Sequence, residues 1–262
     1  MMNHPKHSLT RKRAGRWALL LAALFVLTAS VVADERSAVR QEGAPLRIAI
    51  AASPKQFAPL QKHLEENFDV VCIRLDANKA GEIPDAAKLA DCDVMLLNHY
   101  RTQPTEEQLK HLQKFFLSGK PVVGTRKASH AYQNWLEIDQ TVFGAKYGGH
   151  FFEKKDEQTV FLEPKGKDNP LVKDFKPFMC GGGLYTYTKL APDVEVLMSG
   201  GPPGKSMPVT WLRINKERSN QRVFYTRYDP DDANKHPEVR DMLIKALFWA
   251  ADRDIEKARK KQ

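Results

Sequence analysis

The sequence predicts an α/β fold: a three-layer, flavodoxin-like sheet, mostly parallel, with an antiparallel extension in its second half. Three observations carry the prediction. Short apolar or β-branched runs alternate with amphipathic helical stretches through the first half of the chain. Those runs do not alternate apolar with polar, as befits strands buried between two helical layers. In the second half the helical spacing fades, and strand-like runs follow one another across turn-rich or polar segments.

Residues 1–33 stand outside this fold. Lys6, Arg11, Lys12, Arg13 and Arg16 form a basic leader without an acid, and an uncharged apolar run follows from Trp17 to Leu27. Val31 and Ala33 then occupy the −3 and −1 positions of a signal-peptidase site, with Asp34 after the cut. The expectation is a signal peptide and an exported, periplasmic or secreted protein. The alternative is a membrane anchor over residues 17–33, slightly shorter than the ~20 residues a relaxed membrane helix needs. Contact with a membrane is expected only in that alternative. Residues 34–45 are charged and turn-rich, a flexible lead-in to a single domain over 46–254, and residues 255–262 form a basic C-terminal tail.

The chain carries 41 basic and 32 acidic side chains, but the leader holds five of the basic ones and none of the acidic. The remaining 36 against 32 is a small excess, and no basic stripe interleaved with aromatics runs through the body, so nucleic acid is not an expected partner. The three cysteines, Cys72, Cys92 and Cys180, are widely spaced and odd in number, so at least one thiol is expected free.

Leu46–Ala51, between Pro45 and Pro54, reads as the first buried strand, and Phe57, Leu60, Leu64 and Phe68 recur at helical spacing. Val70–Leu75 reads as a strand buried on both sides, and Asp85–Leu89 as a weak helix. Val94–Leu97 is a third strand. Thr105 then caps a helix whose apolar face is Leu109, Leu112, Phe115 and Phe116, and Gly119 ends it before a strand over Pro121–Gly124. Gly144, Gly148 and Gly149 mark a turn-rich segment ending at His150. Strands are expected at Thr159–Leu162, Leu184–Thr188, Val194–Met198, Pro208–Ile214 and Arg222–Arg227. An amphipathic helix from about Pro237 to Asp252 closes the domain, with Val239, Leu243, Leu247 and Trp249 facing inward.

Ligands of open α/β sheets gather outside the carboxyl ends of the strands. The fourth strand ends there in Gly124-Thr125-Arg126-Lys127-Ala128-Ser129-His130, and the third in Asn98-His99-Tyr100-Arg101. A guanidinium and an imidazole in one crevice can hold a hydroxyl or carboxylate and move a proton near neutral pH. The bland alternative is a structural ion pair for Arg126 and a helix cap for His130. His150 follows two glycines that permit close backbone approach, and Tyr185 can offer a hydroxyl or an aromatic face. Asp229, Asp231, Asp232 and His236 share one loop, where a divalent metal is conceivable. A solvated acidic loop beside a helix start is favoured instead, since no recognised metal spacing is present. Neither metal nor cofactor is therefore expected. Asp229 is the carboxylate expected to pair with His130 as acid and base.

Several segments together resemble the ThuA-like (trehalose-utilisation) family of the class I glutamine amidotransferase-like superfamily, over about Leu46 to Ala251. The similarity lies in Asp93-Val94 followed by Thr105–Gln108, in Gly119–Gly124, in Ser129-His130-Ala131-Tyr132 with Trp135, and in Gly148-Gly149-His150. It continues through Pro208-Val209-Thr210-Trp211, Arg222-Val223-Phe224-Tyr225 and Trp249-Ala250. The resemblance implies the superfamily's three-layer sheet and a role in carbohydrate metabolism. It also sharpens the departures. Many members carry Gly-aliphatic-His where this chain has Gly124-Thr125-Arg126, Glu-x-Tyr where it has Gly183-Leu184-Tyr185, and Gly-His where it has Tyr228-Asp229. The elbow that would hold a nucleophilic cysteine offers Thr125 and Arg126. The expectation is therefore an exported protein that is not a glutamine amidotransferase. Its ligand is expected to be a small carbohydrate or derivative, handled by acid–base chemistry of a hydrolase or isomerase kind. Catalytic roles fall to His130, Asp229 and Arg126, and substrate-binding roles to Asn98, His99, Ser129, His150 and Tyr185. The alternative is a non-catalytic carbohydrate-binding or accessory module on the same fold.

Overall fold

The computed structural model describes residues 44–150, 160–176, 178, 183–201 and 205–260. Eight strands form one sheet in the order β2-β1-β3-β4-β10-β9-β8-β6. They are β1 (Leu46–Ala51), β2 (Val70–Arg74), β3 (Val94–Leu97), β4 (Val122–Thr125), β6 (Val160–Leu162), β8 (Val194–Gly200), β9 (Met207–Asn215) and β10 (Gln221–Thr226). The pairs from β2 across to β10 are parallel, and β9, β8 and β6 extend the sheet antiparallel. A separate two-stranded ribbon pairs β5 (Ala145–His150) with β7 (Tyr185–Leu190).

Both faces of the sheet are covered, because β1, β3 and β4 carry apolar side chains on each. Ile48, Ile50, Leu96, Val123 and Phe224 face one core with helices α1 (Pro54–Asn67) and α5 (Pro237–Ala250). Ala49, Met95, Leu97, Val122 and Tyr225 face the other, with Leu112, Phe115 and Phe116 of helix α2 (Glu106–Leu117). Helix α2 begins as its sequence dictates: Thr105 accepts from Gln108 N, and the Gln108 side chain accepts from Thr105 N, a complete capping box.

The differences from the sequence reading have identifiable causes. Val70–Arg74 is an edge strand with Val71 39% exposed, so its β-branched run reflects strand propensity and not two-sided burial. The segment ending at His150 is strand β5 and not a turn, its glycines accommodated by register shifts against β7. Two short helices lacked a periodic signal, α3 (Pro164–Asp168) and α4 (Pro230–Lys235). In α5, Met242, Ile244, Ala246 and Phe248 are buried beside Val239, Leu243 and Leu247, so the buried face is wider than the spacing predicts, while Trp249 lies half-buried under the Arg222 guanidinium. Beyond α5 the chain returns to β2: Asp69 N donates to Ala258 O, Lys260 N to Asn67 O, and Arg259 bridges to Phe68. Residues 1–33, read as a signal segment, and Cys180 lie outside the described residues.

Candidate functional site

Strand β4 ends at a sharp turn on the carboxyl rim of the sheet, where Arg126 adopts φ 20°. Gly124, two residues earlier in β4, leaves room for the Phe143 ring, which a Cβ there would run into. Phe143 is fixed in turn: its carbonyl accepts from Trp211 Nε1 at 2.9 Å. The buried Arg213 guanidinium binds the carbonyls of Thr141 and Val142 and pairs with Asp193 at 2.9 Å. The antiparallel half of the sheet thus buttresses the end of a parallel strand. The Arg126 carbonyl is held by Tyr225 Oη at 2.7 Å, and Tyr187 Oη donates to Tyr225 Oη at 2.8 Å. The second rim loop is tied to the first: Arg101, also at positive φ (50°), donates its backbone N–H to His130 O at 3.1 Å. Two side-chain-bearing residues in this region of backbone space cost on the order of 1–3 kcal/mol each. Both are arginines beside the same imidazole.

Around His130 the rings pack closely. Tyr147 lies 4.9 Å away, Tyr100 5.3 Å and Tyr185 5.5 Å. His150 stands edge-on to Tyr185 at 5.2 Å, and the Arg126 guanidinium lies over the same tyrosine at 5.2 Å. The β5–β7 ribbon explains this convergence, because its register sets His150 opposite Tyr185. Asp139 anchors the ribbon's start, its carboxylate accepting from Tyr147 N at 2.8 Å. Ser129 Oγ lies 3.0 Å from His130 Nδ1 and 3.3 Å from Arg126 O, so it orients the ring from within the turn. Burial pushes the His130 imidazole down to about 4, helped by the positive charges of Arg101, His150, Arg126 and Lys127. His130 is therefore neutral near pH 7, able to accept a proton or a hydrogen bond.

Of the eight residues singled out in the sequence, five meet in this cluster: Arg126, Ser129, His130, His150 and Tyr185. Asn98 follows β3 on the same rim, 3% exposed, with neither end of its side-chain amide hydrogen-bonded among the described residues. Such a group calls for water or a ligand. His99 is held elsewhere, its Nε2 on Leu75 O at 2.9 Å and its ring edge-on to Tyr132, with burial lowering it to about 4. Asp229 does not meet His130. Its carboxylate accepts from Asp231 N at 3.0 Å as the cap of α4, and Asp232 returns the bond to Asp229 N at 2.9 Å. Capping is what an Asp three residues before an Asp and directly before Pro does best.

Sequence reasoning gave no role to Tyr147, and none to Tyr100 and Arg101 beyond a place in the loop after the third strand. Their signal was adjacency to His150 and His99 in short polar segments, but which rings meet depends on the ribbon register. Asp232 was read only as part of an acidic loop beside a helix start, and the structure places it in the capping box of α4. Burial raises its carboxyl, while the hydrogen bond from Asp229 N and the charges of Arg227 and Arg126 pull it back down. The thiols of Cys72 and Cys92 are free, and burial pushes them up to about 12 and about 11. Among the described residues no group of three or more His, Cys, Asp or Glu side chains is arranged to hold a metal ion, and no helix is long and apolar enough to cross a membrane.

A family model for ThuA, described as trehalose utilisation, matches residues 38–250. Among solved structures, a ThuA-like protein from Bacteroides uniformis superposes with TM-score 0.58 at 15% identity, covering 84% of this chain and 97% of that one. A ThuA-like protein from Parabacteroides merdae gives TM-score 0.58 at 14% identity, covering 83% and 98%. A glutamine amido transferase from Methylobacillus flagellatus follows at TM-score 0.43 and 10% identity, covering 83% and 97%. At these identities the likeness to the two ThuA-like proteins shows the fold alone. No curated protein sequence matches the chain.

Proposed function

The chain belongs to the ThuA family, described as trehalose utilisation, and from that membership we propose that its rim pocket carries out acid–base chemistry on a sugar or sugar derivative. The family suggests carbohydrate metabolism; the pocket supports the finer reading. The observation that carries it is the packing of Arg126, His130 and His150 on one tyrosine, Tyr185. Tyrosine faces suit the C–H face of a pyranose, guanidinium and imidazole suit its oxygens, and His130, neutral near pH 7, can accept a hydrogen bond from them. No thiolate takes part in this scheme: Arg126 occupies the elbow, and the described cysteines are protonated at neutral pH. Asp229 enters it only as a cap, and the protein acts outside the cytoplasm once its leader is removed after Ala33.

One observation favours the rival reading, a carbohydrate-binding or accessory module. Among the described residues, the charged groups that bear most on His130 are all cationic, so the expected acid–base pair is not assembled there. A thermal-shift screen against sugars, keto-sugars and sugar acids, followed by His130→Asn, separates the two. An enzyme keeps its ligand and loses turnover at least a hundredfold. A binding module shows no turnover in either form. A screen in which no carbohydrate raises Tm contradicts both.

A further inference from the structure

Resting on the carbohydrate reading above, we propose that Asn98 binds a neutral sugar through a pair of neighbouring hydroxyls, in a crevice between the carboxyl ends of β1 and β3 on the α1 side of the rim. The sheet order places this crevice. β1 leads into α1 on one face and on to β2, whereas β3 leads into α2 on the other face and on to β4. The two connections part between β1 and β3, and a parallel sheet opens to ligands at such a point. Asn98 stands at the parting, its backbone N–H donating to Ala51 O at the end of β1 at 2.8 Å. Two residues beyond Ala51, Ser53 begins α1 without a side-chain cap bond.

Alternation along β3 decides which face the amide takes. Val94 and Leu96 lie in the core with α1 and α5, Met95 and Leu97 in the core with α2. His99 continues the second set, its Nε2 on Leu75 O and its ring against Tyr132, both of that core. Asn98 therefore belongs to the α1 side. There Thr125, Thr226 and Thr210 stand in register across β4, β10 and β9, buried and satisfied. Thr125 Oγ1 donates to Leu97 O at 3.4 Å, and Thr210 and Thr226 share a bond of 2.9 Å. Asn98 alone in this row has both amide ends unpaired among the described residues, at 3% exposure. A polar group so buried costs stability until a partner completes it. Its own chemistry selects the partner. Nδ2 donates and Oδ1 accepts, so two adjacent hydroxyls, one accepting and one donating, satisfy both ends. A carboxylate or phosphate satisfies the donor only and sets its charge against Oδ1. The lips of the crevice are exposed, Ser53 and Pro54 on one side and Tyr100 and Arg101 on the other, and a ligand reaches the amide by parting them.

The test is thermal melting and isothermal titration of the full-length protein with glucose, trehalose and glucuronate. A neutral sugar is expected to bind at least as tightly as glucuronate. Asn98→Leu, of similar volume but without polar atoms, is expected to raise the Tm of the ligand-free protein by about 2–4 °C and to weaken neutral-sugar binding about tenfold or more. Ser53→Trp puts bulk on an exposed lip where no cap bond is lost. It is expected to weaken the same binding while leaving Tm within about 1 °C, and it decides the matter if Asn98→Leu does not fold. Unchanged neutral-sugar affinity in either variant overturns this inference and leaves the carbohydrate reading standing. A lower Tm in folded Asn98→Leu overturns it as well, since the amide is then completed within the fold. Glucuronate binding more tightly than both neutral sugars overturns the hydroxyl pair. If no sugar binds, both fail.

Discussion

His130 and His99 give up their protons for the same reason, burial, and reach about 4 in different settings. In the unfolded chain each binds a proton near 6.5, so acid favours the unfolded state. Their contribution to stability is complete above about pH 6.5 and is lost as pH falls towards about 4. At about 1.4 kcal/mol per unit the fully buried His99 accounts for on the order of 3 kcal/mol across that window. His99→Gln can still donate to Leu75 O without titrating, and is expected to flatten the fall of Tm between pH 6.5 and 4. An unchanged acid limb in both His99→Gln and His130→Asn contradicts the assignment. Asp229 is separable in the same spirit. Asp229→Ala is expected to lower stability by about 1 kcal/mol, whereas Asp229→Asn, an equally good cap, is expected to lower neither stability nor turnover. Loss of turnover in the Asn variant would restore Asp229 to the chemistry. Gly124→Ala meets the Phe143 ring and is expected to cost about 1–3 kcal/mol by overpacking, read as a drop in Tm.

At the scale of elements, the site is assembled by three structures that differ in how plainly the sequence announces them. The parallel strands were legible because burial on both faces leaves unbroken apolar runs, and Thr105 with Gln108 marked the start of α2. The rim loops followed from the same logic, which is why Arg126 and His130 were found. The β5–β7 ribbon was not legible as a pair. Gly148 and Gly149 read as turn residues, and the register that sets His150 opposite Tyr185 is irregular. Tyr147 and Tyr100 were therefore missed as members of one cluster. Asp229 was expected beside His130 and stands as the cap of α4, because a carboxylate before Pro reads equally as a cap or as a catalytic acid until the helix it starts is seen. The elbow itself depends on the Tyr187–Tyr225–Arg126 hydrogen-bond chain. Tyr225→Phe breaks it, and about 1–2 kcal/mol of stability is expected to go with it. Weaker ligand binding through a loosened Arg126 is expected alongside, measurable by denaturant melts and titration on one preparation.

For the described molecule, the antiparallel extension does more than widen the sheet. Arg213 on β9 holds the turn carrying Phe143, and Phe143 packs against Gly124 just before the elbow. These supports act beside the contacts within the rim loops, the Ser129 hydroxyl on Arg126 O and the Arg101 N–H on His130 O. The most direct measurement is side-chain NMR of the histidine rings during titration with glucuronate and trehalose. The account predicts that the His130 and His150 resonances move with ligand while those of His63 on α1 and His111 on α2 stay fixed. Stationary His130 and His150 rings under a ligand that binds, or movement confined to His63 and His111, would contradict a carbohydrate pocket at this rim.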